Sequence, residues 1–107
     1  MPQGEDIVEF RVPVDHPSLP GHFPGEPLLP GVALLDRVME VAEDRLPAGR
    51  RITGVPRVKF LAPLRPDDVA EITVGPEEEG LIPFRVHRNG EPVAQGVLAT
   101  APVDAAP

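Results

Sequence analysis

The chain has 107 residues, 41% of them hydrophobic, with a formal charge of −7 and no cysteine. That describes one small domain whose modest core makes association attractive, and it excludes a disulfide framework and thiol chemistry. Scattered basic residues in an acidic chain exclude a nucleic-acid face, and with no apolar run near ~20 residues and no signal-peptide pattern at Met1 to Asp6, a cytoplasmic protein off the membrane is expected.

Residues 1–6 read as a loose end. Ile7 to Val14 reads as a strand, because Val8, Phe10, Val12 and Val14 alternate with Glu9 and Arg11. His16 lies at the strand exit, where a structural role is expected. From Pro17 to Pro30 the chain carries Pro17, Pro20, Pro24, Pro27 and Pro30. Proline fixes φ and removes a backbone donor, so this stretch is neither helix nor central strand but a rigid loop. Such a loop places a side chain accurately, and the one worth placing is His22, between Gly21 and Phe23. Pro30-Gly31 opens a helix to about Leu46, with Val32, Leu35, Val38, Met39, Ala42 and Leu46 at three- and four-residue steps. Asp36, Arg37, Glu40, Glu43 and Asp44 share the other arc, and Pro47-Ala48-Gly49 ends the helix.

Strand patterns follow. Ile52 to Ala62 carries Val58, Phe60 and Ala62 on one face and Arg57 and Lys59 on the other, and Pro56 marks an edge or a bulge. Arg65 to Asp68 is a turn, Val69 to Val74 a strand, and Pro76 to Gly80 a charged hairpin loop. Ile82, Phe84 and Val86 alternate with Arg85 and His87, which puts His87 on the outer sheet face. Asn89-Gly90 is a two-residue hairpin signal, since both positions tolerate φ > 0. Val93 to Thr100 is the last strand, and 102–107 is read as a tail. The whole is an α+β single domain over 1–107. One helix cannot cover both faces of about five antiparallel strands, so the economical packing curls the sheet around it.

His22-Phe23-Pro24-Gly25-x-Pro27-x-x-Pro30-Gly31-Val32-x-x-x-Asp36 resembles the active-site stretch of the bacterial 3-hydroxyacyl-acyl-carrier-protein dehydratases of the hot-dog fold. The likeness continues through Val58-Lys59-Phe60-Leu61-Ala62-Pro63-Leu64-Arg65-Pro66-Asp67-Asp68 and thins toward both ends. It implies a hot-dog fold, with a long central helix wrapped by the sheet. It also implies a catalytic histidine and acid, here His22 and Asp36, the histidine of one chain facing the acid of another in a homodimer or higher homo-oligomer. The implied substrate is carried by acyl carrier protein, and no cofactor or metal is implied. The chain is similar to compact members of specialised acyl pathways, such as aryl-polyene or polyketide assembly. It lacks the aromatic that follows the Asp in members that isomerise the enoyl product, so isomerisation is not implied.

Elimination of water from a 3-hydroxyacyl thioester needs a base for the α-proton, an acid for the departing hydroxyl, and donors for the charge on the thioester oxygen. Histidine titrates near 6.5 and suits the first role. A carboxyl in an apolar site suits the second. Free N–H groups at a helix N-terminus suit the third. His22, Asp36 and the Gly31 and Val32 N–H groups supply them, with Phe23, Pro24 and Gly25 shaping the substrate loop. Against this, an isolated His22 reads as a turn histidine, and Asp36 shares its arc with Glu40 and Glu43 as a solvated surface residue would. Its place close to the helix start, beside Leu34 and Leu35, favours the functional reading. The three histidines have no metal-ligand spacing, and Gly21 to Gly25 lacks the Lys-Ser/Thr of a phosphate loop. A hot-dog acyl thioesterase and a non-catalytic acyl-binding module are the alternatives. An acidic carrier needs a local basic patch on this acidic chain, for which Arg50, Arg51, Arg57 and Lys59 cluster in sequence.

Overall fold

The computed structural model describes residues 6–12 and 29–103. Within them lie β1 (Asp6–Arg11), α1 (Gly31–Glu43), β2 (Arg50–Phe60), β3 (Val69–Val74), β4 (Leu81–Arg88) and β5 (Glu91–Pro102). The strands form one antiparallel sheet in the spatial order β1-β3-β4-β5-β2. The chain therefore runs from one edge strand, through the helix, to the opposite edge before it fills the middle.

Period-two patterning makes one sheet face apolar. In β4, Ile82, Phe84 and Val86 are buried while Leu81, Pro83 and Arg85 between them are exposed. α1 lays Leu34, Val38, Val41 and Ala42 onto that face, in one cluster with Ile72, Val74, Phe84 and Leu98. Each such large apolar side chain contributes about 1.5–3 kcal/mol when fully buried, so this single layer of contacts is the main source of stability. Asn89 and Gly90 take φ of 53° and 79°, as the hairpin reading requires.

Element ends differ from the sequence reading. The helix stops at Glu43 rather than Leu46, because Arg45 and Leu46 donate to the Ala42 and Glu43 carbonyls in tighter i to i−3 bonds ahead of Pro47. The last strand runs on to Pro102, which pairs with Arg50, and Asp6 at the other end belongs to β1. Val12 leaves the strand but is fully buried. The buried helix face also sits differently. Val32, expected in the core, is 73% exposed, whereas Leu34 and Val41 are buried. Residues 32–35 are apolar without a break, so helical periodicity could not choose the phase there.

Pro56 marks both an edge and a bulge. β2 is an edge strand, and its register against β5 shifts between Ile52 and Gly54 and again between Gly54 and Arg57. Two one-residue bulges cancel in phase. Arg51, Arg57 and Lys59, opposite Ala101, Val97 and Gln95, consequently lie on the same face of the sheet. Arg50 lies on the other and is engaged. Its Nε donates to Glu77 at 3.0 Å and its Nη2 to the Thr100 hydroxyl at 2.9 Å, while the Thr100 hydroxyl also donates to Glu77.

This clamp ties the start of β2 to the β3–β4 connection and to β5. The Thr100 hydroxyl first, and Arg50 second, hold the Glu77 carboxyl below its usual range. A depressed carboxyl stabilises the fold fully above its unfolded-state value of about 4.3 and loses that contribution as pH falls through the folded-state value. Glu77→Gln is therefore expected to melt below the wild type at neutral pH. The gap should narrow as melts are repeated at successively lower pH below that point; a gap of constant width would exclude the charge as its cause.

Candidate active site

The helix start has no side-chain cap. Pro30 sits at the cap position with φ −61° and ψ 147°, and the first turn carries no acidic residue. Ala33 and Leu34 both donate to the Pro30 carbonyl, at 3.0 and 3.2 Å. Among the described residues, the Gly31 and Val32 N–H groups have no acceptor. Two donors at the positive end of the helix dipole are thus left for something else to fill.

They open onto an apolar cleft of about 610 Å³. Leu29, Gly31, Val32 and Leu34 form one wall, Phe60 to Leu64 the other, and Val93 closes it. Phe60 and Leu61 are 49% and 44% exposed, a poor arrangement for core residues and a good one for an apolar ligand. Gly31 allows a close approach here: a Cβ would stand 2.7 Å from the tip of the half-exposed Phe60 ring, so a side chain would have to displace that ring from its place in the cleft wall.

Asp36 lies one helical turn beyond Val32 on the same face. It is exposed and, among the described residues, makes no hydrogen bond or ion pair. Within a single chain it is not among the cleft-lining residues, so the apolar surroundings that would suit a proton donor are not supplied by its own core. Its neighbour Arg37 is engaged, with Nη1 2.8 Å from Glu40 and the guanidinium over the Phe10 ring at 5.8 Å. His22, Phe23, Pro24 and Gly25 lie outside the described residues. The structure thus brings together Gly31, Val32 and Asp36. Among the described residues no cluster of three His, Cys, Asp or Glu side chains is disposed to hold a metal ion, and no helix is long and apolar enough to cross a membrane.

The sequence reading missed the opposite wall. Phe60 to Leu64 was read as strand and turn, and Leu29 as part of the rigid loop. The available signal was a run of Phe60, Leu61, Ala62 and Leu64 too apolar for a solvated connection. The basic patch also needs correction. Arg50 is occupied by Glu77 and Thr100, whereas Arg51, Arg57 and Lys59 have no polar partner among the described residues. Arg57 and Lys59 border a shallow depression on the outer sheet face together with Arg85 and Gln95.

A family model described as ApeI-like, ApeI dehydratase, matches residues 2–98. A 3-hydroxyacyl-acyl-carrier-protein dehydratase FabZ of Thermomicrobium roseum is 33% identical over 105 residues, covering 88% of this chain and 70% of the relative. The FabZ of Chlamydia trachomatis serovar L2 is 27% identical over 106 residues, covering 87% and 69%. Among solved structures, the dehydratase heterocomplex ApeI:P from Xenorhabdus doucetiae superposes with a TM-score of 0.83 at 31% identity, over 94% of this chain and 89% of that one. A hot-dog-like protein from Thermanaerovibrio acidaminovorans, at 23% identity and a TM-score of 0.69 over 97% and 86%, shares the fold.

Proposed function

The chain belongs to the ApeI-like dehydratase family, and from that premise we infer that it removes water from a 3-hydroxyacyl thioester on acyl carrier protein, leaving the trans-2-enoyl thioester. The observation that carries this reading is the pair of unpartnered N–H groups of Gly31 and Val32 at the mouth of an apolar cleft, one turn from Asp36.

The acyl chain lies in the cleft and the thioester oxygen accepts from the Gly31 and Val32 N–H groups. They stabilise the negative charge that grows on that oxygen as the α-proton leaves. His22 takes the α-proton. The Asp36 carboxyl gives its proton to the 3-hydroxyl, which departs as water while the C–O electrons leave with it and the new double bond forms. Passage of the proton from His22 back to Asp36 restores both groups. A second copy of the chain completes the site, bringing its own His22 to this Asp36. Supporting this, among the described residues Val32 and Asp36 form an exposed apolar-and-acidic patch without a partner, and β2 leaves a sheet edge open.

Product analysis with a 3-hydroxyacyl carrier-protein thioester is the test. Enoyl product is expected. Free acid would make the protein a thioesterase, and retained binding without turnover would make it an acyl-binding module.

Docking of the carrier follows from charge. An acidic carrier approaching a chain of net charge −7 meets Arg51, Arg57 and Lys59 on one face of β2. Arg57→Glu combined with Lys59→Glu should raise KM about tenfold or more for the carrier-bound substrate, since each lost or reversed charge at a rim acts chiefly on encounter. KM for a small thioester analogue should stay within about twofold, because that substrate makes no carrier contact. Equal effects on both substrates would remove the docking surface.

A further inference from the structure

The connection between β2 and β3, residues 61–68, has no regular structure, yet Leu61 to Leu64 within it form most of one wall of the cleft, beside Phe60 at the end of β2. Its backbone is held by what it touches. Leu61 and Ala62 donate to the Val93 carbonyl at 2.7 and 3.2 Å. The Leu64 carbonyl accepts from Leu29, just before the helix, at 2.8 Å. Val12 donates to the Asp68 carbonyl and accepts from Asp67, at 2.9 and 2.8 Å. One connection thereby fixes the cleft wall, the approach to the helix and the exit from β1.

Two arginines grip this connection from outside: Arg11 of β1 donates Nη1 to Asp67 Oδ1 at 2.9 Å, far from the cleft wall, and Arg88 holds the part next to that wall. Arg88, at the end of β4, directs Nη1 to the Pro63 carbonyl at 3.0 Å and to Asp68 Oδ2 at 3.0 Å. Its Nη2 is held by Glu91 Oε1, also at 3.0 Å. Asp68 Oδ2 in turn accepts from the Arg65 N–H at 2.8 Å, closing the turn. The Arg88 side chain is 20% exposed and Asp68 is 27% exposed, so the pair is shielded enough to hold its geometry. A planar guanidinium can grip Pro63, Asp68 and Glu91 at once, which a lysine ammonium cannot do with the same fixed angles. None of its partners is among the groups given a role in proton transfer.

We propose that Arg88, acting through Asp68 and the Pro63 carbonyl, is a positioning residue that sets the acyl-side wall of the cleft and so determines how affinity grows with acyl-chain length. The proposal rests on the reading of the cleft as the acyl site. Each methylene buried against a fixed wall strengthens binding by about fourfold. A wall free to move yields less for each methylene, and the slope of affinity against chain length flattens.

The test measures Kd for a series of saturated acyl-pantetheine thioesters of increasing length, on the wild type, Arg88→Ala and Arg88→Lys, with melting temperatures alongside. The wild type is expected to gain about fourfold per methylene until the cleft is filled, and Arg88→Ala less than about twofold, with Arg88→Lys between them. A merely structural role would lower the melting temperature and leave the slope of the folded protein untouched, and that result overturns the proposal. Asp68→Asn removes the charge at constant size and serves if Arg88→Ala does not fold; an unchanged slope in it is equally fatal. Because the readout is binding, a wild type that binds with the expected slope but never yields enoyl product would overturn the dehydratase reading and leave this one standing.

Discussion

Asp36→Asn is expected to reduce dehydration by at least about a thousandfold while leaving the fold intact. The second half of that statement comes from the geometry. Asp36 is exposed and, among the described residues, makes no hydrogen bond or ion pair, so an amide of the same size should change stability by no more than about 0.5 kcal/mol. Loss of activity in a protein that melts at the wild-type temperature cannot then be blamed on misfolding. His22→Ala is expected to be equally inactive. If each site takes its histidine from one chain and its acid from another, the two dead proteins should rescue each other. Random exchange gives heterodimers in half of the population, each with one native site, so roughly a quarter of the wild-type specific activity should return. A mixture that stays inactive after verified exchange would put both residues in one chain's site. An Asp36→Asn enzyme with near-normal kcat would end the role of Asp36 as acid.

The second large effect is on stability. Gly96→Ala is expected to cost about 3 kcal/mol, near the upper end for overpacking. A Cβ at this position would run into the Arg57 carbonyl oxygen and would lie 2.9 Å from both the Val58 Cα and the Phe84 ring. Two of those atoms are backbone of β2, locked in register with β5, and Phe84 is 2% exposed. Nothing near can give way cheaply. In a domain of this size the loss corresponds to a drop of about 12 °C or more in melting temperature. A change of less than about 2 °C would mean that β2 can slide on β5, against the close approach described.

Much of this was legible in the sequence for identifiable reasons. Asn89-Gly90 specified its hairpin because few residues tolerate two consecutive positive φ values. The alternation of Ile82, Phe84 and Val86 specified which face of β4 is buried. Pairing partners were not legible. Period-two patterning says which side of a strand is apolar but not which strand lies beside it, and β2 joins β5 rather than its neighbour in sequence. The Gly31-Val32 donors followed from Pro30-Gly31 opening the helix, whereas the wall at Phe60 to Leu64 depends on how a connection folds back across space. The separation of Arg50 from Arg51 was implicit in strand alternation, and so was the grouping of Arg51 with Arg57 and Lys59, because the two bulges between them cancel; that Arg50 would be taken up by Glu77 and Thr100 was not, since it depends on which strands and connections lie beside β2.

The strand order also bears on how the protein is made. β2 emerges from the ribosome early, directly behind the helix, yet its sheet partner is β5, made after every other described strand. At about 5–20 residues per second, β2 waits for several seconds with both hydrogen-bonding edges open and Phe60 at its end uncovered. A nascent chain stalled before β5 is therefore a natural client for chaperones and an easy target for proteases. Codon changes that slow translation between β3 and β5 should lower the yield of folded protein even though the finished sequence is identical.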